Sequence, residues 1–289
     1  MRIPVAALFL LALALSSQAP AQRFDHGVLW RVEGGASAPS HVFGTVHVDD
    51  PRVTELSPAV SRVLEESRSL TVELSLDPGN MLALAGRMLL QDGRDLAGIA
   101  GAELYGKVAA QAAKLGLPEP ALRMLKPWAV ALLIMTPPQN PENVLDYVLV
   151  RRAAAQKIPV HELETVTEQV DVFEGMTEAD QVALLRYAVD NQERLPQLTG
   201  SLVDAYLARD LAGMWRISRE NGDDAETRRL HEVFVERVLF ARNTRMAGRM
   251  EARLKEGAAL IAVGALHLYG DRGVLAELQR RGYRVTAVY

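Results

Sequence analysis

The sequence of 289 residues contains no cysteine, so it has no disulfide, no thiolate nucleophile and no thiolate metal ligand. It also lacks concentrated positive charge, since the formal net charge is −4 and lysine and arginine are interspersed with aspartate and glutamate. Binding to a polyanion needs a basic face. We therefore expect no binding to nucleic acid or to an anionic membrane surface.

Several common catalytic motifs are also absent. There is no Gly-x-Ser-x-Gly, no P-loop, no Gly-x-Gly-x-x-Gly and no His-Glu-x-x-His. The sequence HELE, which begins at His161, lacks the second histidine of a zincin helix. Hydrolysis by a nucleophilic serine and nucleotide binding are therefore disfavoured.

The first residues resemble a secretory leader. Arg2 precedes an apolar run over residues 5–15, and small residues follow up to Ala21. A membrane anchor is the alternative, but the run is shorter than the ~20 residues that a spanning helix needs. The sequence thus predicts a signal peptide at 1–21, no stable membrane insertion after its cleavage, and a periplasmic or secreted protein.

Strand and helix patterns at both ends of the chain predict an α/β fold. Two strand-like stretches flank a turn near residues 34–39, helical spacing follows over 55–68, and a strand pattern covers 69–76. This order predicts parallel pairing of the strands around a right-handed helical crossover. The last forty residues again alternate strand, helix and strand. We expect a mixed or mostly parallel central sheet built from the N- and C-terminal segments.

The middle of the chain reads as a large helical insertion in a single domain. The predicted domain covers 22–289, with the α/β core at about 22–77 and 255–289 and the insertion at about 78–254. One short core strand is expected near 157–162. Thr177 is the expected N-cap of a helix with acidic residues in its first turn. The insertion could serve as a substrate lid or as the surface of a homodimer.

Two copies of Gly-x-x-His follow apolar strand runs. HVFGTVHV contains Gly44 and His47, and ALIAVGALHL contains Gly264 and His267. Ligand sites of parallel α/β sheets collect at the carboxyl ends of the strands. Glycine allows close approach of backbone or ligand, and histidine offers a metal ligand or a proton-transfer group near neutral pH. The pair therefore predicts a site, although either histidine alone would more often be structural.

Further candidates surround these histidines. Glu73 ends the strand TVEL, where its carboxylate must be paired, protonated or metal-bound if buried, or else faces outward. Glu164, like its neighbour Glu162 beside His161, is either a site carboxylate or a helix-capping group. Arg242 and Asn243 could stabilise an oxyanion, but arginines at helical spacing also form solvated faces.

These separated motifs resemble, in the right order, the TraB/GumN family, which is similar to the Tiki metalloproteases. The similarity includes LWRVEGG, HVFGTVHVDDPRV, TVEL, PVHELETVTEQ, ARNTRMAGRM and the C-terminal VGALHLYG segment. The resemblance implies a core of the erythromycin esterase/ChaN-like type and a metal-dependent hydrolase site. It matches His47, His267, Glu73, Glu164 and the Arg242-Asn243 pair to the family motifs.

Together with the leader expected at 1–21, the resemblance implies an exported peptidase. His47, His267 and Glu73 would hold a divalent ion, for which Mn, Co and Zn all remain open, and water would attack a peptide or protein substrate. Arg242 or Asn243 would stabilise the oxyanion. One alternative is a non-catalytic periplasmic binding protein that uses the same histidines for haem or a peptide. Another, with little support, is an interaction protein of the cell envelope.

Overall fold

The structure is a computed structural model that describes residues 24–75, 77–220 and 225–289. The expected signal peptide at 1–21 lies outside these ranges, so its prediction stays untested. Within the described ranges, none of the helices is both long enough and apolar enough to cross a membrane.

One mixed sheet contains the strands of the described residues. They are β1 (Leu29–Glu33), β2 (Ser40–Thr45), β3 (Ser69–Val72), β4 (Val160–Glu162), β5 (Ala259–Gly264) and β6 (Arg284–Ala287). Their spatial order is β4-β3-β5-β2-β1-β6. The strands β4, β3, β5 and β2 run parallel to one another, whereas β1 is antiparallel to both β2 and β6. The expected fold class is confirmed.

Helices connect and cover these strands. In the first half they are α1 (Pro51–Thr54), α2 (Pro58–Glu66), α3 (Pro78–Arg87), α4 (Leu96–Ala100), α5 (Ala102–Lys114), α6 (Glu119–Arg123), α7 (Pro127–Met135) and α8 (Leu145–Ala155). In the second half they are α9 (Val166–Glu174), α10 (Glu178–Asn191), α11 (Leu195–Leu207), α12 (Leu211–Arg219), α13 (Ala225–Val235), α14 (Ala241–Glu256) and α15 (Val274–Arg280). A π-helical turn (Glu236–Phe240) leads into α14, and 3₁₀ turns cover Pro141–Asn143 and Ala265–His267.

Strand β5 forms the centre of the sheet. Its sequence ALIAVG is continuously apolar and almost fully buried, as is typical of a parallel strand covered on both faces. It pairs with β2 on one side and with β3 on the other. The expected direct pairing of β2 with β3 is therefore wrong, although the two strands run in the same direction. A local strand-helix-strand pattern cannot reveal that a strand from the far end of the chain lies between its members.

Helices from the middle of the chain pack directly on this sheet. The short strand expected near 157–162 is β4, and α8 packs against β3 and β4 while α14 packs against β5. A separate apolar cluster joins α5, α7 and α10. The Thr177 side chain caps α10 by accepting from the Asp180 N–H at 3.1 Å, as expected.

Gly44 allows β2 to touch the turn that carries the second histidine. A Cβ at Gly44 would lie 2.7 Å from Leu268 Cδ1 and 3.0 Å from Ala265 Cα. Leu268 is fully buried, so it cannot move into solvent. The first motif glycine is thus explained by packing between β2 and residues 265–268.

Replacing Gly44 by alanine should therefore destabilise the protein. We expect Gly44→Ala to lower the free energy of unfolding by about 1–3 kcal/mol because the extra methyl overpacks the core. The control is Gly106→Ala at an exposed position of α5, where a Cβ meets nothing within 4 Å. There alanine should be neutral or stabilising by up to ~1 kcal/mol. Urea unfolding measures both, and equal effects would contradict the packing argument.

Candidate active site

Three parallel strands bring the predicted site residues to one edge of the sheet. His47 follows β2, Glu73 follows β3 directly, and His267 lies in the 3₁₀ turn after β5. All three therefore lie at carboxyl ends of adjacent strands, the position at which ligand sites of α/β sheets form.

His267 is buried and oriented by Asn243. Its Nδ1–H donates to Asn243 Oδ1 at 2.6 Å, and Asn243 Nδ2 donates to the Arg272 carbonyl at 2.8 Å. The second bond fixes the orientation of the amide, and hence the tautomer of the imidazole. The Nε2 lone pair stays free, 3.6 Å from Glu73 Oε1. Burial lowers the pKa of His267 to about 4 despite the nearby Glu73 carboxylate.

His47 is held by Asp146, which sequence reasoning missed. Its Nδ1 lies 2.7 Å from Asp146 Oδ2, and Thr45 Oγ1 donates to Asp146 Oδ1 at 2.8 Å. The Asp146 carboxylate raises the pKa of His47 to about 9. The His47 side chain is 62% exposed and borders a cleft. Asp146 carries no sequence signal, because acidic residues in the first turn of a helix are favoured by its dipole regardless of function.

Glu73 is buried but ionised. Its Oε1 accepts from the Gly264 N–H at 2.7 Å, and its Oε2 accepts from Arg242 Nη2 at 2.5 Å. Burial alone would raise the pKa of Glu73. At the acidic pH where Glu73 titrates, His267 is also protonated, and its charge, those of Arg242 and His47, and the Gly264 hydrogen bond outweigh burial and lower the pKa of Glu73 to about 2.

Gly264 leaves a space between the three candidate ligands. A Cβ there would lie 3.4 Å from Glu73 Oε1, 3.4 Å from His267 Cδ2 and 4.0 Å from His47 Nε2. Within the described ranges, no group of three or more His, Cys, Asp or Glu side chains already forms a metal-binding cluster. Two imidazole nitrogens and a carboxylate around this space nevertheless have the donor chemistry that a divalent cation needs, once His47 has lost its proton. Both histidines also have the outer hydrogen-bond partners typical of metal ligands.

Arg242 and Glu164 lie beside this space and neutralise each other. Arg242 Nη2 reaches Glu164 Oε2 at 2.5 Å as well as Glu73, and Arg245 Nη2 reaches Glu164 Oε1 at 2.5 Å. The Glu164 side chain has no solvent exposure, so it lies behind Arg242 and not in the cleft. Arg242 borders the cleft with its N–H groups directed at carboxylates and at the Val238 carbonyl. Its role as an oxyanion donor stays a prediction.

A large cleft opens from these residues. It has a volume of about 1190 Å³ and borders His47, Glu73, Asp146 and Arg242. Apolar side chains from several helices and strands form much of its wall, among them Met81, Leu84, Val150, Val160, Val172 and Phe173. His47, Glu73, Asp146 and Arg242 therefore form a polar part of the wall of an otherwise mainly apolar cleft.

Comparisons with known proteins show which sequences the chain is similar to. The sequence profile described as the TraB/PrgY/gumN family matches residues 28–287. Metalloprotease TIKI1 of Danio rerio is 23% identical over 308 residues, which cover 89% of this chain and 62% of that protein. A Metalloprotease TIKI homolog of Amphimedon queenslandica is 25% identical over 317 residues, which cover 91% of this chain and 61% of that protein. No solved structure matches significantly.

These relatives are longer than the chain. Metalloprotease TIKI2 of Xenopus tropicalis, 24% identical over 321 residues, is covered over 59% of its length. The chain thus spans about three fifths of the curated relatives that it matches. The comparisons reach both Gly-x-x-His motifs, Glu73 and α14, since the matched residues 28–287 include all of them.

The buried position of Glu164 predicts a large loss of stability when its charge is removed. Glu164→Gln should lower the free energy of unfolding by about 3 kcal/mol, because Arg242 and Arg245 lose their shared buried counter-ion. The control is Glu168→Gln, which removes the partly exposed partner of Arg249 and should cost about 1 kcal/mol. Urea unfolding at neutral pH distinguishes them, and equal losses would show that Glu164 is not a structural anchor.

Proposed function

Because the chain belongs to the TraB/PrgY/gumN family, we propose that it is an exported metal-dependent protease. The observation that carries this proposal is the pair of hydrogen bonds at Nδ1 of the two motif histidines. Asp146 and Asn243 occupy the Nδ1 atoms of His47 and His267, so both imidazoles keep Nε2 for a metal beside Glu73. The names of the relatives, which are metalloproteases, support the same chemistry.

His47, His267 and Glu73 are the residues that would hold the ion. A divalent cation supplies Lewis acidity, which acidifies water and polarises a carbonyl group. The mixed nitrogen and oxygen donors suit Mn, Co or Zn. Glu73 is the carboxylate closest to the space beside Gly264, so it is also placed to accept a proton from an attacking water.

The remaining predicted residues orient this set. Asn243 uses its amide to hold His267, and Arg242 keeps Glu73 ionised from the cleft wall. Glu164 acts through Arg242 as a positioning residue. Arg242 is the group that could turn from a carboxylate towards an oxyanion once a substrate carbonyl lies in the cleft.

The size of the cleft supports a polymeric substrate. Pockets for small ligands typically measure about 300–1,000 Å³, and this cleft is larger, open and lined with apolar groups. A peptide or protein segment would fill it. Export through the leader predicted at 1–21 would place such activity in the periplasm or outside the cell.

The function is tested by metal-dependent cleavage of peptides. Purified chain lacking residues 1–21 is stripped with a chelator, reloaded with Mn, Co or Zn, and given a library of quenched fluorescent peptides. We expect cleavage that needs metal and that falls at least about 100-fold in kcat/KM in His267→Ala. The control His41→Ala removes a half-buried histidine from the opposite end of β2 and should cleave as wild type does.

The alternative function gives a different pattern. A non-catalytic binding protein would bind a peptide or haem but cleave no peptide under any metal loading, and that result would sink the protease proposal. Cleavage that survives both the chelator and His267→Ala would show a different active site or a contaminant.

The charge on His47 predicts how metal affinity depends on pH. With a pKa of about 9, His47 is protonated at pH 7 and must lose that proton to bind metal, whereas His267 with a pKa of about 4 is already neutral. Metal affinity should therefore rise about tenfold per pH unit up to pH 9. Titration of the metal-free protein with Mn, the ion least prone to hydrolysis at high pH, measures this slope.

Asp146→Asn is the matched variant for this titration. The amide keeps the size of the side chain but loses the charge that raises the pKa of His47. The rise in affinity should then level off at a lower pH than in wild type. An unchanged titration would show that Asp146 does not control the protonation of His47.

A further inference from the structure

Strand β4 has an open edge. It is the last strand of the sheet and pairs only with β3 among the described strands. The Leu70 N–H donates to the Pro159 carbonyl at 2.9 Å, and the Leu163 N–H donates to the Val72 carbonyl at 2.9 Å. In a parallel ladder the intervening residues alternate, so the N–H and C=O groups of Val160 and Glu162 point away from β3.

The cleft runs along this edge. Val160, His161 and Glu162 all border it. Successive side chains of a strand lie on opposite faces of the sheet, and His161 extends towards α14, where Arg253 Nη1 donates to its Nε2 at 3.0 Å. A space that touches all three consecutive residues must therefore pass over the edge itself. The outward backbone groups of β4 face the same space as His47 and Glu73.

Glu162 ties this edge to the residues after β3 and to helix α3. Glu162 Oε1 accepts from the Ser75 N–H at 2.8 Å and from Asn80 Nδ2 at 3.1 Å. Asn80 belongs to α3, which also contributes the apolar Met81, exposed over 47% of its surface, to the cleft. A bound chain would thus have a strand edge on one side and apolar side chains on the other.

An unpaired acceptor inside the cleft points to a ligand with N–H groups. Gln139 Oε1 is buried and has no hydrogen-bond partner, although Gln139 borders the cleft. A buried acceptor without a partner is costly unless a ligand supplies a donor. Backbone amides of a peptide supply such donors at every residue other than proline.

We propose that the substrate binds as an extended peptide that adds a strand to the free edge of β4, with apolar side chains at alternate positions packed against α3 and α9. This inference rests on the proposed protease function and specifies its substrate class. An unfolded or terminal segment can bind in this way, whereas a helix or a folded loop cannot pair with β4. Main-chain hydrogen bonds then provide affinity, and the apolar wall provides selectivity.

Methylation of single peptide nitrogens tests the pairing on the wild-type protein. The probes are fluorescein-labelled ten-residue peptides that alternate valine or leucine with serine or lysine, each also made with one N-methylated residue. Binding is measured by fluorescence anisotropy on metal-free protein, so no turnover is needed. We expect affinity to fall about tenfold at two positions separated by one residue, whose N–H groups would meet the outward carbonyls of Val160 and Glu162, and to fall little at the position between them and at the other positions.

A variant of the strand gives the complementary test. Val160→Pro removes an outward N–H without removing a bond to β3, and Val160→Thr keeps that N–H with a side chain of similar size. The proline variant should bind the probes about tenfold more weakly, with KM raised more than kcat falls, and the threonine variant should bind as wild type does. If the proline variant does not fold, the methylation pattern on wild type still decides.

The outcomes separate this inference from the protease proposal. A period of two in the methylation scan supports strand addition even if no peptide is cleaved. No binding by any probe, or losses without alternation, overturns strand addition even if peptides are cleaved in a metal-dependent manner.

Discussion

The site depends on one buried arginine side chain. Arg242 lies between the carboxylates of Glu73 and Glu164, and all three side chains are at least nine-tenths buried. Charges in such a place must be paired, so the helix that carries Arg242 is tied to the ends of β3 and β4. The next residue of that helix, Asn243, then reaches His267. Removing either carboxylate would leave Arg242 with one buried partner fewer and the ion group with an excess of positive charge, which makes this group a structural requirement before it has any catalytic role.

The two Gly-x-x-His motifs look alike in sequence but do different things. Gly44 has no Cβ and so allows Ala265 and Leu268 to pack against β2, whereas Gly264 leaves a space between candidate ligands. His47 opens into the cleft and is charged through Asp146, whereas His267 is buried and neutral. Under the proposed function, His47 would have to lose a proton before it could bind a metal, whereas His267 would not.

The sequence predicted the positions of these side chains in the fold well where local pattern and chemistry coincide. Apolar runs ending in Gly-x-x-His placed both histidines at strand ends, and the run before Glu73 placed it beside them. The position of β5 between β2 and β3 was not predictable, because strand order depends on contacts between distant parts of the chain. Asp146 was missed for a related reason, since its partner His47 is 99 residues away. The position of β4 at the edge of the sheet was not predictable either, because it follows from the same strand order.

The central claim is that His47, His267 and Glu73 bind one divalent ion beside Gly264. A crystal structure of the protein loaded with Mn, Co or Zn, with anomalous data at the absorption edge of each metal, measures this directly. The account predicts one anomalous peak at about 2.0–2.2 Å from both Nε2 atoms and from a Glu73 oxygen. A fully loaded crystal whose peak lies elsewhere, with these three side chains still engaged as they are here, would contradict it.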